Sequence, residues 1–212
     1  MSPEKTPPDQ LGSRIRLLAA ADRLFRRHGY SATTISAIAK EGRAPMGSVY
    51  FHFPNGKEQL AAEALRFGAD AVSRRMAAAL ETGPDAAAAL ASCALAWADA
   101  LEVSAWSGGC PVAPTALEMS TISESLRRVS CEIFAEWQEL LSARLLREGF
   151  SKPLAAELAE QTLALMEGAE LLARVRRTRE PLENAAKQIR RTIEWAKKSR
   201  VATPSRGSRA TS

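Results

Sequence analysis

Cysteine and histidine are scarce in this 212-residue chain: Cys93, Cys110 and Cys131, with His28 and His52, are all it has. The number of cysteines is odd, and none shares a C-x-x-C spacing with another or with a histidine. That pattern excludes a disulfide framework and a zinc site, so no metal and no cofactor are expected. β-Branched apolar residues are also few, 7 Val and 7 Ile against 40 Ala and 23 Leu. The balance favours helix, and the fold is expected to be all-α. Apolar residues make up 46%, yet no run of about 18 of them is free of charge. The first residues, with Pro3, Glu4, Pro7, Pro8 and Asp9, show no basic region leading into an apolar one. Neither a membrane span nor secretion is expected, and the chain reads as soluble and cytoplasmic.

Recognisable catalytic machinery is equally thin. Gly56-Lys57 is followed by Glu58, and Phe51 stands where the first glycine of a phosphate-binding loop belongs. There is no His-Glu-x-x-His, and two histidines in the first 52 residues do not make a Ser, His and acid triad. An enzyme is not expected. Cys110, between Gly109 and Pro111, leaves two readings open: a reactive thiol or oxidation sensor, and a buried structural cysteine.

What the chain does have is segregated charge. Residues 1–60 carry 9 basic and 5 acidic side chains, residues 61–172 carry 8 and 16, and residues 173–212 carry 12 and 3. Net charges of +4, −8 and +9 imply a first unit attractive to a polyanion and a second that repels one. Solvated helix faces would give the same count, so the pattern alone does not decide.

Apolar spacing predicts helices throughout. Residues 1–12 are Pro-rich and polar and are expected to form a flexible arm. Ser13 is placed to cap a helix to about His28, with Leu17, Leu18, Ala21, Leu24 and Phe25 as its stripe and Gly29 beyond its end. A short helix from Ile35 ends at Gly42, a residue that tolerates a left-handed backbone. A second short one runs from Met46 to Phe53, stopped by Pro54, Asn55 and Gly56. Two short helices joined by a glycine-bearing turn behind a longer one make a helix-turn-helix. Long helices follow over 57–80, 85–106, 123–148, 153–177 and 181–200, with a Gly/Pro-interrupted stretch at 107–114 and a short helix at 115–119. Pro84, Pro153 and Pro181 lie where first helical turns begin. Residues 201–212 read as a disordered basic tail.

The segment TTISAIAKEGRAPMGSVYFHFPNGKEQL, residues 33–60, with AADRLFRRHGY before it, residues 20–30, resembles the DNA-binding domain of TetR-family transcriptional regulators. The likeness rests on a coincidence of features: Phe25, Gly29-Tyr30, Thr34-Ile35, Ile38-Ala39, Gly42, Gly47, Tyr50, Phe53 and Lys57. GGCPVAPTALE at 108–118 and MEGAELLAR at 166–174 are similar to the subgroup that includes the YxaF and LmrA regulators. The resemblance implies a helix-turn-helix domain over 13–60 and a helical ligand-binding and dimerisation domain over 61–200. It implies a repressor, working as a homodimer on an inverted-repeat DNA operator and released by a small-molecule inducer.

Residue by residue, the resemblance places Thr34, Ser48, Tyr50, His52 and Lys57 on the DNA backbone, and Arg43, Pro45 and Met46 where bases are read, while Ser36, on the second helix with Thr34, can donate as well. A helix enters the major groove only where its leading face is small, and Gly47 is expected to come closest. For Tyr50 a packing aromatic is the competing reading. The chain departs from the family in having Arg43 where Val is common and Ala44 where a Ser or Thr cap is common. Its turn at Asn55-Gly56 is also one residue longer, which bears on Lys57. For the dimer face, Leu158, Leu165, Gly168 and Leu172 form one stripe, with Leu182, Ile189 and Ile193 on the next helix. Packing inside one subunit is the alternative. Trp97, Trp106, Cys110, Met119, Phe134, Trp137 and Met166 are large or polarizable side chains on different helices, the kind that line drug-sized pockets. Each taken singly is ordinary core. Asp99, Glu102, Glu118, Glu167 and Glu170 suggest a cationic or neutral apolar ligand. Arg174, Arg176, Arg177, Arg179 and the basic tail leave room for a nonspecific, architectural nucleic-acid binder.

Overall fold

The computed structural model describes residues 8–201; residues 1–7 and 202–212, with most of the expected arm and tail, lie outside the described residues. Among the described residues there are nine helices and no strand: α1 (Pro8–Ala32), α2 (Ile35–Glu41), α3 (Met46–His52), α4 (Gly56–Thr82), α5 (Ala86–Val103), α6 (Ala113–Met119), α7 (Glu124–Arg147), α8 (Lys152–Arg176) and α9 (Glu180–Val201). The first three make a small head on the start of α4. The rest of α4 packs with α5 and α7, and α8 and α9 pack on those.

Local chemistry sets most of the boundaries. Thr34 caps α2 by accepting from the Ala37 N–H, Asp85 caps α5 through Ala88, and Ser123 caps α7 through Leu126. Pro153 sits in the first turn of α8, where its missing N–H has no helical partner. Pro84, by contrast, lies one residue before the Asp85 cap. Gly29, with φ of +76°, breaks the run of α1 where sequence places its end. At its start α1 corrects the expectation: helix begins at Pro8, inside the stretch read as a flexible arm. A proline costs nothing in a first turn, and Ser13 becomes an interior residue of α1 rather than its cap.

The turn between α2 and α3 also differs from the sequence reading. Gly42 is right-handed (φ −77°), and the left-handed backbone falls on Arg43 (φ +50°). Gly42 is small for another reason: a Cβ there would sit 3.1 Å from the Ile38 carbonyl and 3.3 Å from the Arg16 carbonyl and the Leu17 side chain. The turn is pressed against α1, and the strain sits one residue later.

The core runs through the molecule, from Leu17, Phe25, Ile38, Val49 and Phe53 in the head along Leu65, Val72 and Met76 of α4 to Leu90, Ile133, Trp137 and Leu141. Among the described residues α5 is the one helix long and apolar enough to cross a membrane, but 61% of that window is buried against the other helices. It is the core helix of the larger unit.

Candidate nucleic-acid interface and cavity

Buried Ile38, Ala39, Val49 and Phe53 fasten α2 and α3 to α1 and leave the opposite face of α3 outward. On that face Met46, Gly47 and Tyr50 are exposed, preceded by exposed Arg43 and Pro45, with Ser48 half-buried. Tyr50 is 54% exposed, which removes the packing-aromatic reading. A Cβ at Gly47 would meet nothing within 4 Å, so this glycine is not required by the fold. Thr34 and Ser36 are exposed on α2. α3 has no side-chain cap, as expected, but its N-cap falls on Pro45 and not on Ala44. Phe51, 64% exposed beside Tyr50, is a surface aromatic that sequence reasoning passed over. Its signal was its place three residues behind Ser48 in a helix whose buried position is Val49, with buried Phe53 just past its end.

Two residues assigned to the DNA backbone are engaged inside the subunit. The His52 Nε2 shares a 2.8 Å hydrogen bond with Ser13 Oγ. Burial first, and then the Arg14 charge, lower its pKa and favour the neutral ring. The Lys57 ammonium lies 4.1 Å from the centre of the Tyr30 ring, which stacks on Phe25. Burial lowers the Lys57 pKa and Glu118 opposes that. The arginines of α1 are occupied as well: Arg14 on Glu63, Arg16 on the Gly42 carbonyl, Arg23 on Glu41, and Arg26 on Asp22 and the Gly109 carbonyl. Much of the basic charge counted in the head therefore holds the head together.

Two carboxylates tie that head to the rest. Glu118, at the end of α6, accepts the backbone N–H groups of Tyr30 at 3.0 Å and Ser31 at 2.8 Å. Burial acts to raise its pKa, but the bonds from Ser31 and Tyr30 outweigh it and hold the carboxyl below its usual range. A side chain at Gly29 would overlap this carboxylate, so here the glycine is needed for close approach as well as for its positive φ. Glu58, in the first turn of α4, accepts from Ser123 Oγ at 2.6 Å.

Above this joint lies a cavity of about 690 Å³ between α6, α7 and α8. Leu117, Phe134 and Leu171 give it apolar walls, Cys131 stands beside Phe134, and Cys110, Glu167 and Glu170 form its polar end. The Glu170 Oε2 accepts the Cys110 N–H at 3.0 Å. Burial raises the pKa of both carboxyls to about 7, and Glu167 adds to the effect on Glu170. The Cys110 thiol is pushed well above its usual range by burial and by the two glutamates, which argues against a reactive thiolate there. Arg174 reaches from the cavity wall to the Arg26 carbonyl at 3.1 Å.

The comparisons with known proteins bear on both parts. Residues 17–64 match the model described as bacterial regulatory proteins, tetR family, and residues 86–188 match the LmrA/YxaF-like C-terminal domain of transcriptional regulators. The HTH-type transcriptional regulator LmrA of Bacillus subtilis is 35% identical over 80% of this chain and 90% of its own length. YxaF of the same organism is 33% identical over 84% of this chain and 93% of its own. The chain belongs to the TetR family. It is a transcriptional regulator with a DNA-binding helix-turn-helix, not an enzyme. The crystal structure of a TetR regulator from Chloroflexus aurantiacus matches at a TM-score of 0.72, with 28% identity over 89% of this chain and 97% of that one.

In this TetR-family regulator the aromatic residues expected around a ligand are mostly core. Cys110 and Phe134 line the large cavity, but Trp97, Trp106, Met119, Trp137 and Met166 do not. Trp137 and Met166 are fully buried, and Trp137 donates to Ser73 Oγ at 3.0 Å while meeting Trp97 and Phe134 edge to face. Trp97 lines a separate void of about 140 Å³, and its indole N–H has no partner there. Met119 is buried at the end of α6, and Trp106 packs half-buried on the core. Large side chains fill volume, and this cavity exists where Ala113, Ala116 and Gly168 leave volume unfilled. The expected dimer stripe divides likewise. Leu165, Gly168 and Leu172 are exposed, whereas Leu158 of α8 and Leu182, Ile189 and Ile193 of α9 are buried within the subunit, where α9 packs on α5 and α8. Asp99 and Glu102 are occupied by Arg179, which takes that arginine out of the basic surface.

Proposed function

We propose that this regulator is a repressor that binds an inverted-repeat operator as a homodimer and is released when a small molecule fills the cavity between α6, α7 and α8. A seven-residue helix reads few base pairs, so specificity calls for two of them, about 34 to 36 Å apart on one face of the duplex. The outer face of α8 supports the pairing: Leu165, Leu172 and Val175 are exposed around Gly168, an apolar area open for a copy of itself. Base reading falls to Arg43, Pro45 and Met46, and backbone contact to Thr34, Ser36, Ser48 and Tyr50. His52 holds Ser13 in place, and Lys57 must leave Tyr30 to reach a phosphate. The cavity is walled by α6, and α6 ends in the Glu118 carboxylate that holds Tyr30 and Ser31. A ligand that prefers the form with wrongly spaced heads lowers operator affinity by that preference.

The observation that carries the reading is Gly47, exposed on α3 with open space where its Cβ would be. Alanine there, in the first turn of α3, restricts the unfolded chain and is expected to stabilise the free protein by about 0.4 to 1 kcal/mol. The same methyl obstructs the approach to DNA. Footprinting on the DNA flanking the protein's own coding region is expected to show a protected inverted repeat that Gly47→Ala loses while its melting temperature rises. Protection unchanged in Gly47→Ala would mean that α3 is not the element in the groove.

A further inference from the structure

Resting on the effector role proposed for the cavity, we infer that its ligand is an amphipathic amine, with an apolar body against Leu117, Phe134 and Leu171 and an ammonium on the Glu167 carboxylate. The Glu167 Oε1 is a buried oxygen without a hydrogen-bond partner in a residue that lines the cavity. A buried acceptor in that condition favours a ligand that brings a donor. Its neighbours explain why the donor should also be a cation. Burial and the Cys110 thiol act on the Glu167 pKa with no cation contributing, whereas Glu170 has the charges of Arg26 and Arg174 close enough to lower its pKa. The two arginines on the cavity wall are committed elsewhere, Arg127 to both oxygens of Glu124 at 2.5 and 2.7 Å, and Arg174 to the Arg26 carbonyl. Glu167 is thus the cavity carboxyl without a cation of its own.

A neutral alcohol could supply the hydrogen bond but not the charge, and an anion would face two carboxyls. Over 61–200 the unit carries 18 basic and 19 acidic residues, so its overall field is nearly neutral and the preference for a cation rests on the two carboxyls at the cavity's polar end. Volume sets no obstacle, since about 690 Å³ accommodates a bicyclic ring system with a short side chain.

The test uses the full-length protein and three probes with one apolar body: naphthylmethylamine, naphthylmethanol and naphthoate, titrated calorimetrically at neutral pH and one ionic strength. The amine is expected to bind about tenfold or more tightly than the alcohol, with the carboxylate weakest. Glu167→Gln is expected to bring the amine's affinity down to that of the alcohol, and an unchanged far-ultraviolet circular dichroism spectrum reports that the variant is folded. Phe134→Ala should weaken amine and alcohol alike, which places both in this cavity. Equal binding of amine and alcohol overturns the cation inference and leaves the cavity as an effector site. An amine preference that survives Glu167→Gln also overturns it, because the ammonium then lies elsewhere. Failure of all three probes to bind removes the effector reading of the cavity, and this inference with it.

Discussion

The head and the cavity handle polar side chains in opposite ways. In the head, Arg14, Arg16, Arg23 and Arg26 satisfy the framework's own acceptors, and Arg43, Tyr50, Thr34 and Ser36 are left facing water on a fixed surface. Around the cavity the order is reversed: Glu167, Glu170 and Cys110 are turned inward, and one carboxylate oxygen goes without a partner. A surface that waits for a polyanion keeps its donors solvated at little cost. On the effector role proposed above, the cavity holds groups whose burial is unfavourable until a ligand arrives. The comparison teaches where stability and function coincide in this protein and where they oppose each other.

The largest expected effect tests the division between cavity wall and core. Trp137 is fully buried, hydrogen-bonded to Ser73 and packed against Trp97 and Phe134. Trp137→Ala is expected to cost about 3 to 5 kcal/mol in urea denaturation, the penalty of emptying a core site. Phe134, half-buried on the wall, should cost clearly less when truncated. Equal losses would place Trp137 on the wall after all.

Next comes the cost of the inward carboxyl. Burial raises Glu167 from 4.5 to about 7, so between those values the folded protein keeps a proton that the unfolded chain releases. Stability therefore falls as pH rises through that window, the penalty being absent below the lower value and complete above the upper one. Glu167→Gln is expected to raise stability by about 2 to 3 kcal/mol near pH 8 and to change it little near pH 4, measured by denaturant titration at both. A gain independent of pH would show that packing, not charge, had changed.

Sequence made the head far more legible than the cavity, and the reason is physical. A groove-entering helix needs small residues at its tip and an apolar anchor behind, so Gly47 and Phe53 announce themselves within a few positions of each other. Caps such as Thr34, Asp85 and Ser123 are equally local. The cavity is defined by missing volume on three helices far apart in sequence, and the absence of a side chain leaves no pattern to find. Trp97, Trp137 and Met166 drew attention because they are large, which is why they fill the core. Leu158, Ile189 and Ile193 followed the helical period correctly, but periodicity marks a buried face without saying which partner buries it. Gly42 and Arg43 show the limit at closest range, the glycine being spent on contact with α1 and the left-handed turn falling to its neighbour.

The smallest effect concerns Lys57, which stands between the two regions. Its ammonium rests on the Tyr30 ring and feels Glu118, the residue by which α6 holds the head. A cation over an aromatic face at a partly exposed site is worth about 0.5 to 1 kcal/mol. A charge-assisted bond to a phosphate oxygen is about twice as strong as a neutral one and adds the release of a counterion. The balance favours the phosphate once DNA is present, so the lysine should swing outward. Lys57→Ala is then expected to weaken binding to all duplexes alike and to lower the slope of log affinity against log salt by about 0.9. An unchanged slope would leave the ammonium on Tyr30 in the complex, making Lys57 part of the joint between head and cavity rather than part of the reading surface.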